Sequence, residues 1–93
     1  MAKMKRLVLD VLKPRQPNII EFAKAIAALG SEYRVNMRVE EVDDKTESVL
    51  LSVEAEDMDF VALEAKINEL GASLHSIDEV EILGEAESLP AEP

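Results

Sequence analysis

The 93-residue sequence predicts a single α+β domain whose strands and helices follow the order βαββαβ. Apolar and polar residues alternate along four stretches, which is the period of a strand. Along two other stretches apolar residues recur every three or four positions, which is the period of a helix. Chains of this length usually carry one modest core, so we expect one domain.

The first strand and the first helix are predicted over residues 5–12 and 18–29. In KRLVLDVL one face of the strand is apolar, and it consists of Leu7, Leu9 and Val11. The prolines of KPRQP interrupt the strand because they cannot donate to a ladder. The helix that follows is amphipathic, and Gly30 ends it.

Two further strands, residues 34–42 and 47–56, are joined by the short polar turn DDKT and predict a hairpin. A second helix follows Asp57, which we expect to cap its first turn, and ends at Gly71. The last strand is predicted over residues 72–83. Residues 84–93 are small, acidic and proline-containing, which predicts a mobile tail beyond the domain of residues 1–83.

This order of elements predicts a ferredoxin-like fold, with a four-stranded antiparallel sheet of order 4-1-3-2 and two helices on one face. The other face of the sheet then carries a central apolar patch of Val8, Leu12, Leu50 and Ile77. A soluble monomer seldom leaves such a patch exposed to water. We therefore expect another subunit, or a small ligand at a subunit interface, to cover it.

The composition excludes several classes of function. Ten basic residues against twenty acidic ones give a formal charge of -10, which repels nucleic acids and anionic membranes. No stretch is apolar for long enough to span a membrane, so we expect a cytoplasmic protein. The sequence has no cysteine, so disulfides and thiolate metal sites are excluded.

The segment LHSIDEV, residues 74–80, contains the one histidine of the chain, His75. Antiparallel pairing is expected to bring Asp10 near His75, and to bring Glu54, Glu79 and Glu81 near Arg6. One interpretation is a site for a divalent cation such as calcium or magnesium, completed by a second subunit. Its ligands in this chain would be Asp10, His75, Asp78 and Glu79. The other interpretation is a polar sheet surface on which Asp10 bonds to His75 and Arg6 neutralises the glutamates.

The alternation of the last strand places Ser76 and Asp78 on the helix-covered side, where a buried carboxylate is costly unless it is paired. A β-bulge near Ser76 would turn Asp78 outward, beside Glu79. Alternatively, this end of the strand extends beyond the core. The pattern does not decide between the two.

The stretches RLVLDVLKP and LHSIDEV, the second just after a helix ending in ELG, resemble a family of archaeal proteins known as domain of unknown function 211. The resemblance covers residues 4–83. It implies a ferredoxin-like fold, an archaeal source and a tendency to assemble into cyclic oligomers, and it implies no established activity.

No enzyme is expected from these residues. Ser48, Ser52 and Ser76 lack a catalytic histidine and acid, and the three glycines all follow helices or strands rather than form a phosphate loop. The first hypothesis is a self-assembling cyclic homo-oligomer, since head-to-tail pairing of the edge strands closes into a ring if the rotation between subunits allows. The alternative is a small-molecule-sensing regulatory domain similar in topology to amino-acid-binding modules. Such domains usually have a glycine after the first strand, where KPRQP stands here.

Overall fold

The computed structural model describes residues 2–84 and confirms the predicted order of elements. Four strands and two helices follow one another as β1 Lys3–Pro14, α1 Ile19–Ala27, β2 Arg34–Val42, β3 Thr46–Glu54, α2 Phe60–Glu69 and β4 Ser73–Leu83. The strands form one antiparallel sheet in the order β2-β3-β1-β4. This is the ferredoxin-like α+β fold. Of the predicted tail, residues 84–93, all but Gly84 lie outside the described residues.

The core lies between the helices and the two central strands. The helix-facing side chains of β1 and β3 alternate along each strand, as predicted, and are almost fully buried: Leu7, Leu9, Val11, Val49, Leu51 and Val53. Each helix contributes two fully buried side chains, which are Phe22 and Ile26 from α1 and Leu63 and Ile67 from α2. Burial of this apolar surface is the main force that holds the helices on the sheet.

The start of α2 differs from the prediction, because Asp59 rather than Asp57 caps it. Asp59 Oδ1 accepts a hydrogen bond from the backbone N–H of Ala62 at 3.1 Å. Asp57 Oδ1 instead accepts one from the backbone N–H of Met4 at 3.3 Å. Met58 is buried, and its backbone N–H donates to the carbonyl oxygen of Met4 at 2.9 Å. These contacts hold residues 57–58 against the start of β1, so the helix begins only after them.

Gly71 ends α2 as predicted, and its backbone conformation explains why a glycine stands there. Its φ of +87° lies in the left-handed region, which residues other than glycine rarely adopt. The N–H of Ala72 bonds to the carbonyl oxygen of Ile67 and that of Gly71 to the carbonyl oxygen of Asn68. This pair of bonds satisfies carbonyl groups at the end of the helix and turns the chain into β4.

β1 is longer than predicted, and the added residues place a lysine in the core. The strand continues to Pro14, so Lys13 follows Leu7, Leu9 and Val11 on the helix-covered side. The Lys13 side chain is fully buried. Its Nζ donates to Glu47 Oε1 at 3.0 Å and to the carbonyl oxygens of Pro14 and Arg15 at 2.8 and 3.4 Å.

Candidate functional site

The sheet face opposite the helices, called here the open face, carries most of the predicted site residues. Residues directly opposite each other in an antiparallel sheet share a face, so the register groups the open-face side chains into rows that cross all four strands. Written from β2 to β4, the first row is Arg34, Glu54, Arg6 and Glu81, and the second is Asn36, Ser52, Val8 and Glu79. The third row is Arg38, Leu50, Asp10 and Ser76, and the fourth is Glu41, Ser48, Leu12 and Ser73.

β4 carries two bulges, so of the two interpretations that the sequence left open near Ser76 the structure has the bulge. Its pairing with β1 moves from Glu79 to Ile77 in one step, so Asp78 is an extra residue. Between Ser76 and Leu74 the extra residue is His75. Ser76 and Asp78 both lie on the open face, where Ser76 Oγ donates to Asp78 Oδ1 at 2.7 Å. The bulge thus brings the carboxylate out of the helix-covered side.

The same bulge makes one part of the open-face prediction wrong. Ile77 lies opposite Leu9, which faces the core, so Ile77 is on the helix-covered side of the sheet. Val8, predicted as part of an exposed apolar patch, is buried, with only 7% of its surface exposed. Leu12 is exposed as predicted, at 46%, but without Ile77 and Val8 the open face offers less apolar surface than the sequence suggested.

Several exposed apolar side chains of the sheet lie together on the edge strand β4. Ile77, Val80 and Ile82 point to the helix-covered side, opposite residues of β1 that belong to the core or pack against it. Each of the three is nevertheless half or more exposed, at 53%, 50% and 50%. We call these residues the β4 apolar strip. On the same side of the strand only Leu74, near the end of α2, packs against the core.

One end of the open face is acidic. Asp10, Glu40, Glu41 and Asp78 line a cleft of about 280 Å³ together with Ser48 and Leu50. Ser48 Oγ donates to Asp10 Oδ1 at 3.5 Å. Sequence reasoning missed Glu40 and Glu41 as neighbours of Asp10. The signal was available, because an antiparallel hairpin places the end of β2 beside the start of β3, which in turn lies beside the end of β1.

The four predicted cation ligands are not brought together in one chain. Asp10 and Asp78 share the acidic cleft, whereas Glu79 pairs with Arg6. Asp10 lies opposite Ser76, so His75 is out of register with it, and within residues 2–84 the His75 side chain forms no hydrogen bond or ion pair. The described residues contain no group of three or more His, Asp or Glu side chains placed to hold a metal ion. The cation site stays a prediction that needs ligands from a second copy.

The other end of the open face is a network of ion pairs around Arg6, as the strand directions predicted. Arg6 Nη1 donates to Glu54 Oε2 at 2.6 Å, and Arg6 Nε donates to Glu79 Oε2 at 3.2 Å. The hydrogen bond to Glu54, followed by that to Glu79, raises the pKa of the Arg6 guanidinium above its ordinary value. Arg34 lies at the far side of the same row, and its Nη1 is 4.0 Å from Glu54 Oε1. This side chain is 85% exposed.

A second group of ion pairs joins Lys3 and Lys5 to Glu56, and it determines how the Glu56 carboxyl titrates. The hydrogen bond from Lys5, with a further one from Lys3, lowers the pKa of this carboxyl below its ordinary value of 4.5. The folded state then binds fewer protons here than the unfolded state, so the stabilisation is present above pH 4.5 and is lost as the pH falls through the lowered pKa.

We expect Lys5→Met to raise the pKa of Glu56, as measured by NMR titration. Lys24→Met on α1 should leave it unchanged, and an unperturbed midpoint in the parent chain would contradict the ion pairs.

Comparison with known proteins places this fold and these strands in a family. A sequence model of the family known as domain of unknown function 211, described as uncharacterized ArCR, matches residues 5–87. The chain is also 40% identical over 80 residues to a protein of Methanocaldococcus jannaschii named "Uncharacterized protein MJ0319", covering 86% of this chain and 82% of that protein. Neither helix within residues 2–84 is long and apolar enough to cross a membrane. With its βαββαβ order and antiparallel sheet, this chain belongs to the archaeal family of domain of unknown function 211.

Proposed function

We propose that the chain is a non-enzymatic, cytoplasmic protein that assembles with copies of itself into a cyclic homo-oligomer. The observation that supports this proposal is the β4 apolar strip, Ile77, Val80 and Ile82, half exposed on an edge strand. An edge strand of this length with apolar side chains is a ready site for pairing with another chain.

The three residues alternate with acidic ones, so the two sides of β4 differ in character. Glu79 and Glu81 lie on the open face, while the strip lies on the helix-covered side. A contact that buried the strip would remove apolar surface from water while leaving the acidic side chains at its rim. Each buried aliphatic side chain of this kind stabilises a contact by about 1.5–3 kcal/mol when burial is complete, and half-exposed residues offer part of that.

Native mass spectrometry and light scattering should therefore show the wild-type chain as a closed oligomer. The double variant Val80→Lys/Ile82→Lys should have a smaller mass, because two charged side chains then lie in the contact. A control with Val61→Lys, on α2 and 77% exposed, should keep the wild-type mass. A wild-type chain that remains monomeric at every concentration would contradict the proposal.

A divalent cation such as calcium or magnesium is a finer part of the proposal. Asp10 and Asp78 share one cleft, which supports a shared contribution, while two carboxylates alone are too few ligands for either ion. Native spectra recorded without chelator, before and after addition of calcium, test whether each subunit gains the mass of one ion. Asp10→Asn and His75→Ala should each weaken that gain. Equal binding by both variants and the wild type would remove these residues from the site.

A further inference from the structure

We infer, on the basis of the proposed self-assembly, that the free edge of β4 in one copy pairs antiparallel with the free edge of β2 in the next copy. In this arrangement the four rows of the open face continue across the junction. The sheet order leaves β2 and β4 at opposite edges. They run antiparallel to each other, because β2 opposes β3, β3 opposes β1, and β1 opposes β4. Neighbouring copies in the same orientation can therefore extend one antiparallel sheet.

The first row shows complementary charges at its two ends. Across one chain it reads Arg34, Glu54, Arg6 and Glu81, so its charges alternate in sign from edge to edge. Continuing the row places Glu81 beside Arg34 of the next copy and keeps the alternation unbroken. Within residues 2–84, Glu81 forms no ion pair, and Arg34 reaches Glu54 only at 4.0 Å. Both ends of the row thus carry charges that a second copy would pair.

The third row supplies a second complementary pair. Arg38 is exposed on β2 and forms no hydrogen bond or ion pair with any residue of the described range. At the other end of that row lies Ser76, and the neighbouring bulge on β4 turns Asp78 onto the open face, where its one hydrogen-bond partner in the described chain is Ser76. Row continuity brings Ser76, and the Asp78 carboxylate bonded to it, next to Arg38 of the following copy. The bulge therefore has a role in this contact, since it presents the carboxylate on the face that carries the arginine.

The helix-covered side of the same junction is apolar throughout. Its rows read Val35, Val53, Leu7 and Val80, then Met37, Leu51, Leu9 and Ile77, then Val39, Val49, Val11 and Leu74. Extension of these rows would place Val80 beside Val35 of the next copy and Ile77 beside Met37. A slip of one residue at the junction would instead place charged side chains of one copy opposite apolar side chains of the next. Charge and apolar character thus select the same register.

Pairing of β4 with β4 of a second copy is the main competing geometry. It would bring Asp78, Glu79 and Glu81 against the same three carboxylates, and like charges directly opposite are destabilising. The pairing of β4 with β2 joins different surfaces, so it is heterologous and does not stop at two copies. It closes into a ring when the rotation between copies allows.

Charge reversal at the two edges tests this register. The β2 variant is Arg34→Glu/Arg38→Glu, and the β4 variant is Asp78→Arg/Glu81→Arg. Each variant alone presents like charges at every junction. We therefore expect the midpoint of its dissociation on dilution to lie at a protein concentration at least tenfold higher than that of the wild type. A single chain carrying all four substitutions restores opposite charges at every junction, and an equimolar mixture does so in a ring with an even number of subunits. The chain with four substitutions should regain assembly, and in a ring with an even number of subunits the mixture should assemble with equal numbers of the two variants.

Matched controls separate the contact from net charge and from folding. Lys24→Glu/Lys66→Glu changes the net charge as much as the β2 variant does, and Glu21→Arg/Glu69→Arg matches the β4 variant, with all four positions on the helices. These controls should assemble like the wild type, and circular dichroism should show every variant folded. Edge variants that keep the wild-type mass, or a folded chain with all four substitutions that fails to assemble, would overturn the register while leaving self-assembly intact. A monomeric wild type would overturn the proposed function itself.

Discussion

Replacing Glu47 with Ala is expected to lower the free energy of unfolding by about 3 kcal/mol, because it leaves a charged group buried without its partner. Lys13 is fully buried, and its Nζ lies 3.0 Å from Glu47 Oε1. The remaining partners of the ammonium group are the carbonyl oxygens of Pro14 and Arg15, which carry no full charge. Urea denaturation at pH 7 and fixed protein concentration measures the loss.

The matched control removes the lysine instead of its partner. Lys13→Met keeps an unbranched side chain of similar length in the core and takes away the buried charge. Glu47 then still has Arg15, whose Nε lies 3.5 Å from Glu47 Oε2. We expect Lys13→Met to cost about 1 kcal/mol, from the two backbone carbonyl groups that lose a donor. Equal losses in the two variants would contradict the assignment of the effect to an unpaired buried charge.

Lys13 also shows why the sequence did not reveal this ion pair. The alternation of β1 extends one step past Val11 to Lys13, but Pro14 and Pro17 in KPRQP indicate the end of a strand. Proline lacks a backbone N–H, and at the end of β1 this deficit does not prevent Pro14 from lying opposite Thr46. A lysine on an apolar face is recognised as buried only when its carboxylate partner is known, and Glu47 lies far away in the sequence.

The strands that alternate without interruption were predicted with their faces correct. In β1 and β3 each apolar position of the alternation is buried, and the network of Arg6, Glu54 and Glu79 follows from strand direction alone. β4 could not be assigned in the same way, because each bulge reverses the faces of all residues beyond it. The two extra residues, His75 and Asp78, therefore decide the face of Ile77. Its apolar side chain favoured neither face, since both carry apolar residues.

Replacing Phe22 with Ala is expected to have the largest effect on the helix layer. Phe22 is fully buried, and it packs in the core together with Ile26. Truncation of a buried phenylalanine removes its transfer free energy and leaves a cavity that the neighbours only partly fill. We expect a loss of about 4 kcal/mol in the free energy of unfolding. Urea denaturation measures it, with the slope of the transition compared between variant and wild type.

The control for Phe22→Ala lies two residues earlier on the same helix. Ile20 is 63% exposed, so Ile20→Ala should change the free energy of unfolding by no more than about 0.5 kcal/mol. Both variants should be measured at several protein concentrations, because assembly that binds only the folded chain raises apparent stability by mass action. A concentration-dependent transition in both would be consistent with proposed self-assembly through strand edges that neither substitution touches. If Ile20→Ala instead lowered the free energy of unfolding strongly, and by more at higher protein concentration, the outer face of α1 would lie in a subunit contact.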